Sequence, residues 1–336
     1  MLSRLPALVT WLLLAGLTTA GCTGVGDSAE RPPGPCTGVT MADVRGPRPD
    51  YVTGELDEFP GSEAVCRALW LPRADRWFVP QGVALDGRTA WISGYRWREG
   101  YGNRPCRLLH VDLRTGRLLD DQPRLDGAVP DGPAVFCHHG GGLALDGHGL
   151  WVAETRRLWL VDPARVGRPG AVRRVWRLDP PVSGGLLVTG GDGRFGLGDF
   201  SLHRDSEMHW FRSTDLLADG VTTLGAEPAG PSRVPALRRS VVPRYAQGGA
   251  VDPDGPRAPY LTTSLSTCGM LLTPDGRRLA LGPGAEGIAF DGRGGLWAVL
   301  ESGARSYQQQ GRPLVPMLVR YDVEQLLAGE AETCDW

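Results

Sequence analysis

Lysine is missing altogether: all 36 basic residues are arginine, and asparagine occurs once, at Asn103. Coding bias toward GC-rich codons accounts for that composition, and it has one chemical consequence. Without lysine there is no Schiff-base chemistry on a protein amine. Basic runs are scarce, and the 38 acidic residues leave a net charge of −2, so no nucleic acid partner is expected. No apolar run is long enough to span a bilayer. Cys-x-x-Cys, Gly-x-Ser-x-Gly and His-Glu-x-x-His are all absent, which leaves no signature of a zinc cluster, a nucleophile elbow or a zinc protease. Two Gly-x-Gly-x-x-Gly matches, at 191–196 and 282–287, fall among 48 glycines, and neither opens a helix in a strand-helix-strand unit.

What is present begins with a leader pattern: Arg4, an apolar run from Leu5 to Leu17, then Ala20-Gly21-Cys22. The Ala-Gly-Cys ending resembles a bacterial lipobox. Residues 1–21 are therefore expected to be a lipoprotein signal peptide with Cys22 lipidated, an ordinary secretory signal being the alternative. The protein would then be exported and held at the outer face of the cytoplasmic membrane by its lipid alone. Residues 22–50, rich in Gly, Pro and polar side chains without helix or strand period, read as a tether, and 51–336 as the folded domain. Of seven cysteines, removing Cys22 leaves an even six for disulfides in an exported chain: Cys36, Cys66, Cys106, Cys137, Cys268 and Cys334.

A hairpin recurs five times, clearest as EGIAFDGRGGLWAVLES from Glu286 to Ser302, with looser copies starting at Gln81, Gly141, Gly184 and Gln247. Each copy is an apolar strand, an Asp-Gly or Gly-rich turn and a second strand. A third strand follows each copy and a fourth follows most, as in VRRVWRL from Val172 and RRSVVPRY from Arg238. A four-stranded antiparallel unit repeated at this spacing predicts an all-β fold, a β-propeller of five blades. Six blades result if the stretch 197–245 hides a degenerate unit. The last unit stops after its third strand, so EAVCRALWLP from Glu63 is expected to supply its outer strand and close the ring. Closure brings the termini together and makes Cys36 or Cys66 the expected partner of Cys334.

The pattern Gly-[Ile/Leu/Val]-Ala-x-Asp-Gly followed by Trp, at Gly82 to Trp91, Gly142 to Trp151 and Gly287 to Trp297, resembles the extracytoplasmic NHL-repeat, gluconolactonase-like and streptogramin-lyase-like propellers. The gluconolactonase-like resemblance implies a divalent cation, Ca or Mg, held on the axis by a Glu, an Asn and an Asp. Glu286 matches the acidic position, whereas Asn103 lies in an insertion. The streptogramin-lyase-like resemblance implies a Mg-dependent site with a general-base histidine, for which His138 and His139 are the candidates.

In such a ring the loops entering each inner strand and leaving each second strand open on one face. The entering positions are Gln81, His138-His139, Ser183, Gln247 and Glu286; the leaving ones are Tyr95, Glu154, Asp199, Ser264 and Glu301. Binding is assigned to Gln81, Tyr95, His138, His139, Glu154, Asp199, Gln247, Glu286 and Glu301, and metal ligation to Glu286, Glu301 and Asp199. Glu286, Glu301 and His139 are the catalytic candidates. Adjacent histidines on an extended chain point to opposite sides, so one of His138 and His139 at most faces the axis. Insertions with aromatic and arginine residues, from Tyr95, Leu202 and Ser302, fall on the same face. Cys106 and Cys137 are expected to pair there, pinning the first insertion against blade two. Asp86-Gly87, Asp146-Gly147 and Asp291-Gly292 read as structural turns on the opposite face, and Trp91, Trp151 and Trp297 as packing between blades.

The leading functional reading is a monomeric, lipid-anchored module that binds a small molecule or a cell-envelope protein. The alternative is a metal-dependent lactonase, esterase or lyase with its site in the central channel.

Overall fold

The computed structural model describes residues 36–98, 104–130, 132–190, 192–329 and 334. Residues 1–35, and with them the leader and Cys22, lie outside the described residues, as does Asn103.

The alternation of apolar runs with Gly-rich turns resolves into five four-stranded antiparallel units. Blade one runs Phe78–Asp86, Thr89–Arg96, Cys106–Asp112 and Leu118–Gln122. Blade two runs Gly142–Asp146, Gly149–Glu154, Arg157–Val161 and Val172–Leu178. Blade three comprises Leu186–Thr189, Arg194–Gly198, Ser206–Arg212 and Arg238–Val242. Blade four comprises Ala246–Ala250, Tyr260–Leu265, Cys268–Leu272 and Arg278–Leu281. Blade five takes Ala285–Phe290, Gly295–Leu300 and Leu318–Asp322 from its own repeat and Val65–Leu69 from the N-terminal side, antiparallel to Leu318–Asp322. That is the expected closure. The stretch 197–245 adds no inner strand: it completes blade three, and its Thr223–Gly225 and Arg233–Pro235 extend the outer edge of blade two in parallel.

The leading glycine of the repeat is explained by the ring. Successive inner strands pack side by side, blade five against blade one included. A Cβ on Gly287 would stand 2.8 Å from the Gly82 Cα, one on Gly142 2.5 Å from the Leu187 nitrogen, and one on Gly248 2.9 Å from the Gly287 Cα. Only glycine lets backbones approach so closely. The tryptophans fill the wedges between blades, Trp91 against blade two, Trp151 against Phe195 of blade three, and Trp297 against blade one. At the opposite ends of the hairpins the Asp-Gly turns are structural: Asp146 accepts from the His148 N–H, and Asp291 from the N–H groups of Arg293 and Gly295.

Residues 36–50, which composition assigned to the tether, are bound to the propeller. Arg45 bridges the closing strand through Arg45 N–H to Ala68 O and Trp70 N–H to Arg45 O, at 3.0 and 2.8 Å. Asp50 N–H donates to Asp75. A polar, irregular segment gives no periodic signal even when its backbone is hydrogen-bonded to a neighbouring edge.

Three disulfides join Cys36 to Cys66, Cys106 to Cys137 and Cys268 to Cys334. The Cys106–Cys137 pair is as expected. The expectation that Cys36 or Cys66 meets Cys334 is overturned. The termini do approach, but through the Gln325 amide, which exchanges hydrogen bonds with the Cys36 backbone. The short helix Val323–Ala328 then carries the chain past the closing strand to blade four, where Cys334 N–H meets the Met270 sulfur beside Cys268. Three disulfides point to a non-cytoplasmic protein. No helix among the described residues is long and apolar enough to cross a membrane.

Candidate functional site

Gln81, Gln247 and Glu286 each interrupt the pairing register where an inner strand begins. A bulge takes a residue out of the ladder and re-aims its side chain. Glu301 hangs from the other strand of the fifth hairpin, one residue beyond the Ala285–Leu300 rung, where the chain turns into the insertion 302–315. Its N–H donates to Gly284 O at 2.8 Å, and Thr262 and Ser264 hydroxyls hold the Glu286 and Ala285 carbonyls. The backbone under both glutamates is thereby fixed.

The two carboxylates are brought together where the inner strands of blades five and one pack side by side, near enough for the charge of one to act on the other, and are 2% and 7% exposed as residues. Gln81 joins them: its Nε2 donates to Glu301 Oε2 at 3.1 Å and to Pro80 O at 3.0 Å, and the same side chain bonds Glu286. Tyr307, from the helix Arg305–Gln308 of the insertion, donates its hydroxyl to Glu301 Oε2 at 2.7 Å. Tyr95 lies beside Tyr307 and stacks on His139 at 4.4 Å, with the Arg104 guanidinium 5.1 Å over Tyr95 and 4.0 Å over Trp97. The insertion is braced from outside, Tyr51 donating to Gly303 O and Leu314 N–H to Asp57.

Burial, and then the Glu301 charge, hold the Glu286 carboxyl well above its ordinary range, against the Gln81 hydrogen bond. Burial pushes Glu301 up to about 7, resisted by the Tyr307 hydroxyl, the Gln81 amide and the Arg104 charge. Like charges in a dry site cannot both ionise cheaply, so the pair retains a proton at neutral pH. Burial and Arg104 bring His139 down to about 4, which leaves its imidazole neutral. Burial and the Glu301 charge drive Tyr95 and Tyr307 far upward, so both stay protonated.

The other sequence candidates stand apart. Glu154 is buried, but Arg157 Nη1 at 2.7 Å and Trp159 Nε1 at 2.9 Å take its two oxygens. Asp199 is exposed and accepts from Ser183. Gln247 occupies the equivalent bulge of blade four, half-buried. His138 turns to Phe136 at 4.2 Å while His139 faces Tyr95; the chain is not extended there, since His139 takes φ +75° in a bend. Tyr307, Arg104 and Trp97 were not singled out from sequence; the aromatic and arginine content of their insertions was the available signal.

The divalent cation that the resemblance implies does not fit this donor set. Hard cations want about six or more oxygen ligands. Here the Gln81 N–H and Tyr307 O–H are aimed at the carboxylates as donors. Asp199 does not join the pair: among the described residues the one group of three His, Cys, Asp or Glu with ligand atoms within 4.8 Å is Cys36, Cys66 and Asp322, and its cysteines form a disulfide.

No family model matches the chain, and no curated protein is similar to it. Among solved structures it is similar to a gluconolactonase from Xanthomonas campestris, at 14% identity over 74% of this chain and 87% of that one, TM-score 0.36. It is similar to the Pan2 WD40 domain of Neurospora crassa, at 9% identity over 72% of this chain and 63% of that one, TM-score 0.32. The β-propeller domain of the Trilobed protease of Pyrococcus furiosus matches at 8% identity over 73% of this chain and 96% of that one, TM-score 0.31. The propeller itself is defined by the strand pairing described above.

Proposed function

We propose that this chain is an exported ligand-binding propeller, anchored by a lipid on Cys22, whose ligand is a small molecule held on the ring axis by Glu286, Glu301 and Gln81 beneath Tyr307. The observation that carries the reading is the pair of buried carboxylates joined through one amide. Burying like charges lowers stability, and strain of that kind concentrates where binding offsets it. The tyrosine lid and the braced insertion supply what a binding mouth needs, a wall that excludes water on a rigid scaffold. Three disulfides support export, and the leader pattern with Cys22 supports the anchor.

The test is a thermal-shift screen of a chemically diverse small-molecule panel at pH 8 on the wild type and Glu301→Gln, followed by mass spectrometry of each hit. Compounds that stabilise the wild type, lose the effect in the variant and are recovered unchanged are the expected result. A hit recovered as a hydrolysed or eliminated product transfers the site to the hydrolase or lyase class. A panel with no Glu301-dependent hit sinks the binding reading. For the anchor, mass spectrometry of the mature N-terminus decides; an unmodified N-terminal peptide beginning beyond Cys22 excludes it.

A further inference from the structure

We infer that the group recognised at the axis is a primary ammonium, the ligand being a small primary amine. The inference rests on the binding reading above and specifies its chemistry. Glu286 supplies the observation that points to a ligand. Its residue is 2% exposed, yet among the described residues its carboxylate, with lone pairs for about four hydrogen bonds, has the Gln81 amide as its one hydrogen-bond partner. A carboxylate that deep and that poorly met is normally paired.

The shape of the deficit selects the ligand. A primary ammonium carries three N–H donors, and the Glu286 and Glu301 carboxylates together supply acceptor oxygens for all three. One added positive charge, with the Arg104 guanidinium already acting on Glu301, is what lets both carboxylates ionise together. The chain has no lysine, so no side chain of its own can deliver an ammonium group. Arginine is the one internal alternative, and Arg104 lies flat over Trp97 and Tyr95. A divalent metal wants about six or more oxygen ligands, and among the described residues no third carboxylate joins the pair. The Tyr95 and Tyr307 rings, both kept neutral, form an apolar wall against which the ligand's carbon stem packs and toward which its cation is drawn. Binding requires the Tyr307 hydroxyl to yield its place on Glu301.

Charge balance gives the signature. At neutral pH the pair holds a proton, so each ammonium bound displaces one, and affinity rises as pH rises.

The experiment is isothermal titration calorimetry of the full exported chain with butylamine, at pH 6 and pH 8 and in buffers of different ionisation heat. Tetramethylammonium, calcium and magnesium chlorides are the comparison ligands, and trialanine with a free N-terminus tests whether the amine of a peptide serves as well as that of a small molecule. Butylamine is expected to bind, tetramethylammonium, which has no N–H, is not, and lowering the pH from 8 to 6 should weaken binding by more than the roughly tenfold that competition by one proton on a group titrating at about 7 requires, because the second carboxyl of the pair titrates higher and is competed for as well. The buffer dependence should show about one proton released by the wild type at pH 8 and more at pH 6, a readout that needs no variant to fold. Glu286→Gln and Glu301→Gln should each weaken binding and reduce its pH dependence, one buried carboxyl being left to compete with a proton. Binding of trialanine but not butylamine contradicts the small-amine ligand, as does calcium or magnesium binding without amine binding. If the panel screen yields Glu301-dependent hits that lack an amine, the ammonium inference fails while the binding reading stands; if it yields none, both fail.

Discussion

Blades two and five each carry a buried glutamate where the second strand ends, Glu154 as its last residue and Glu301 one residue beyond it, and the two fare differently. Glu154 sits beside a tight turn, and the returning strand places Arg157 directly opposite it, so Arg157 and Trp159 satisfy both oxygens. In blade five the chain does not return. It leaves through the insertion 302–315 before Leu318 resumes the blade, so no cross-strand arginine faces Glu301. Phase differs as well: Glu154 follows Trp151 by three residues and Glu301 follows Trp297 by four. Because side chains alternate along a strand, one residue is enough to re-aim a carboxylate. The same repeat unit thus yields a structural ion pair where a tight turn succeeds its second strand, and a candidate site where an insertion does.

The largest effect should come from breaking the satisfied member. Arg157→Ala strands Glu154 in a buried setting and should destabilise the protein by about 3 to 5 kcal/mol, measured by urea unfolding. The unsatisfied member should respond with the opposite sign. Glu301 has its folded pKa raised from 4.5 to about 7, so its contribution is most favourable below pH 4.5 and is lost as pH rises through about 7. Glu301→Gln should therefore stabilise the protein at pH 8 by about 2 to 3 kcal/mol and flatten the decline of stability between pH 5 and pH 8. Unfolding curves across that range check the sign; an equal loss in both variants erases the distinction between the blades. The smallest effect is expected from Tyr307→Phe. Removing its hydroxyl should cost about 1 kcal/mol and move the Glu301 titration further upward, visible as a later midpoint in the same pH series.

Much of the ring was legible because its cause is periodic. The alternation of apolar residues, the Asp-Gly turns and the leading glycines recur, and closure by Val65–Leu69 followed from a blade that lacked an outer strand. The convergence of Glu286 and Glu301 followed from their places at the two ends of one hairpin. What stayed hidden depended on contacts without a period. Asp199 shares a topological position with Glu301 but points to solvent, and the satisfaction of Glu154 turns on a neighbour three residues on. Tyr307 reaches Glu301 only because the insertion folds into a short helix, and the path of the C-terminus to Cys268 is set by Val323–Ala328. Residues 36–50 carry no pattern, yet their backbone groups bond the closing blade.

The central claim is that the axial pair is left short of hydrogen bonds by the described residues and holds a proton where ordinary glutamates do not. Carbon-detected NMR titration of the glutamate carboxyls, assigned through Glu286→Gln and Glu301→Gln, tests it most directly. A first apparent ionisation of the pair near 7 and a second above it is the predicted result. Both carboxyls titrating between about 4 and 5, as solvated glutamates do, would contradict it.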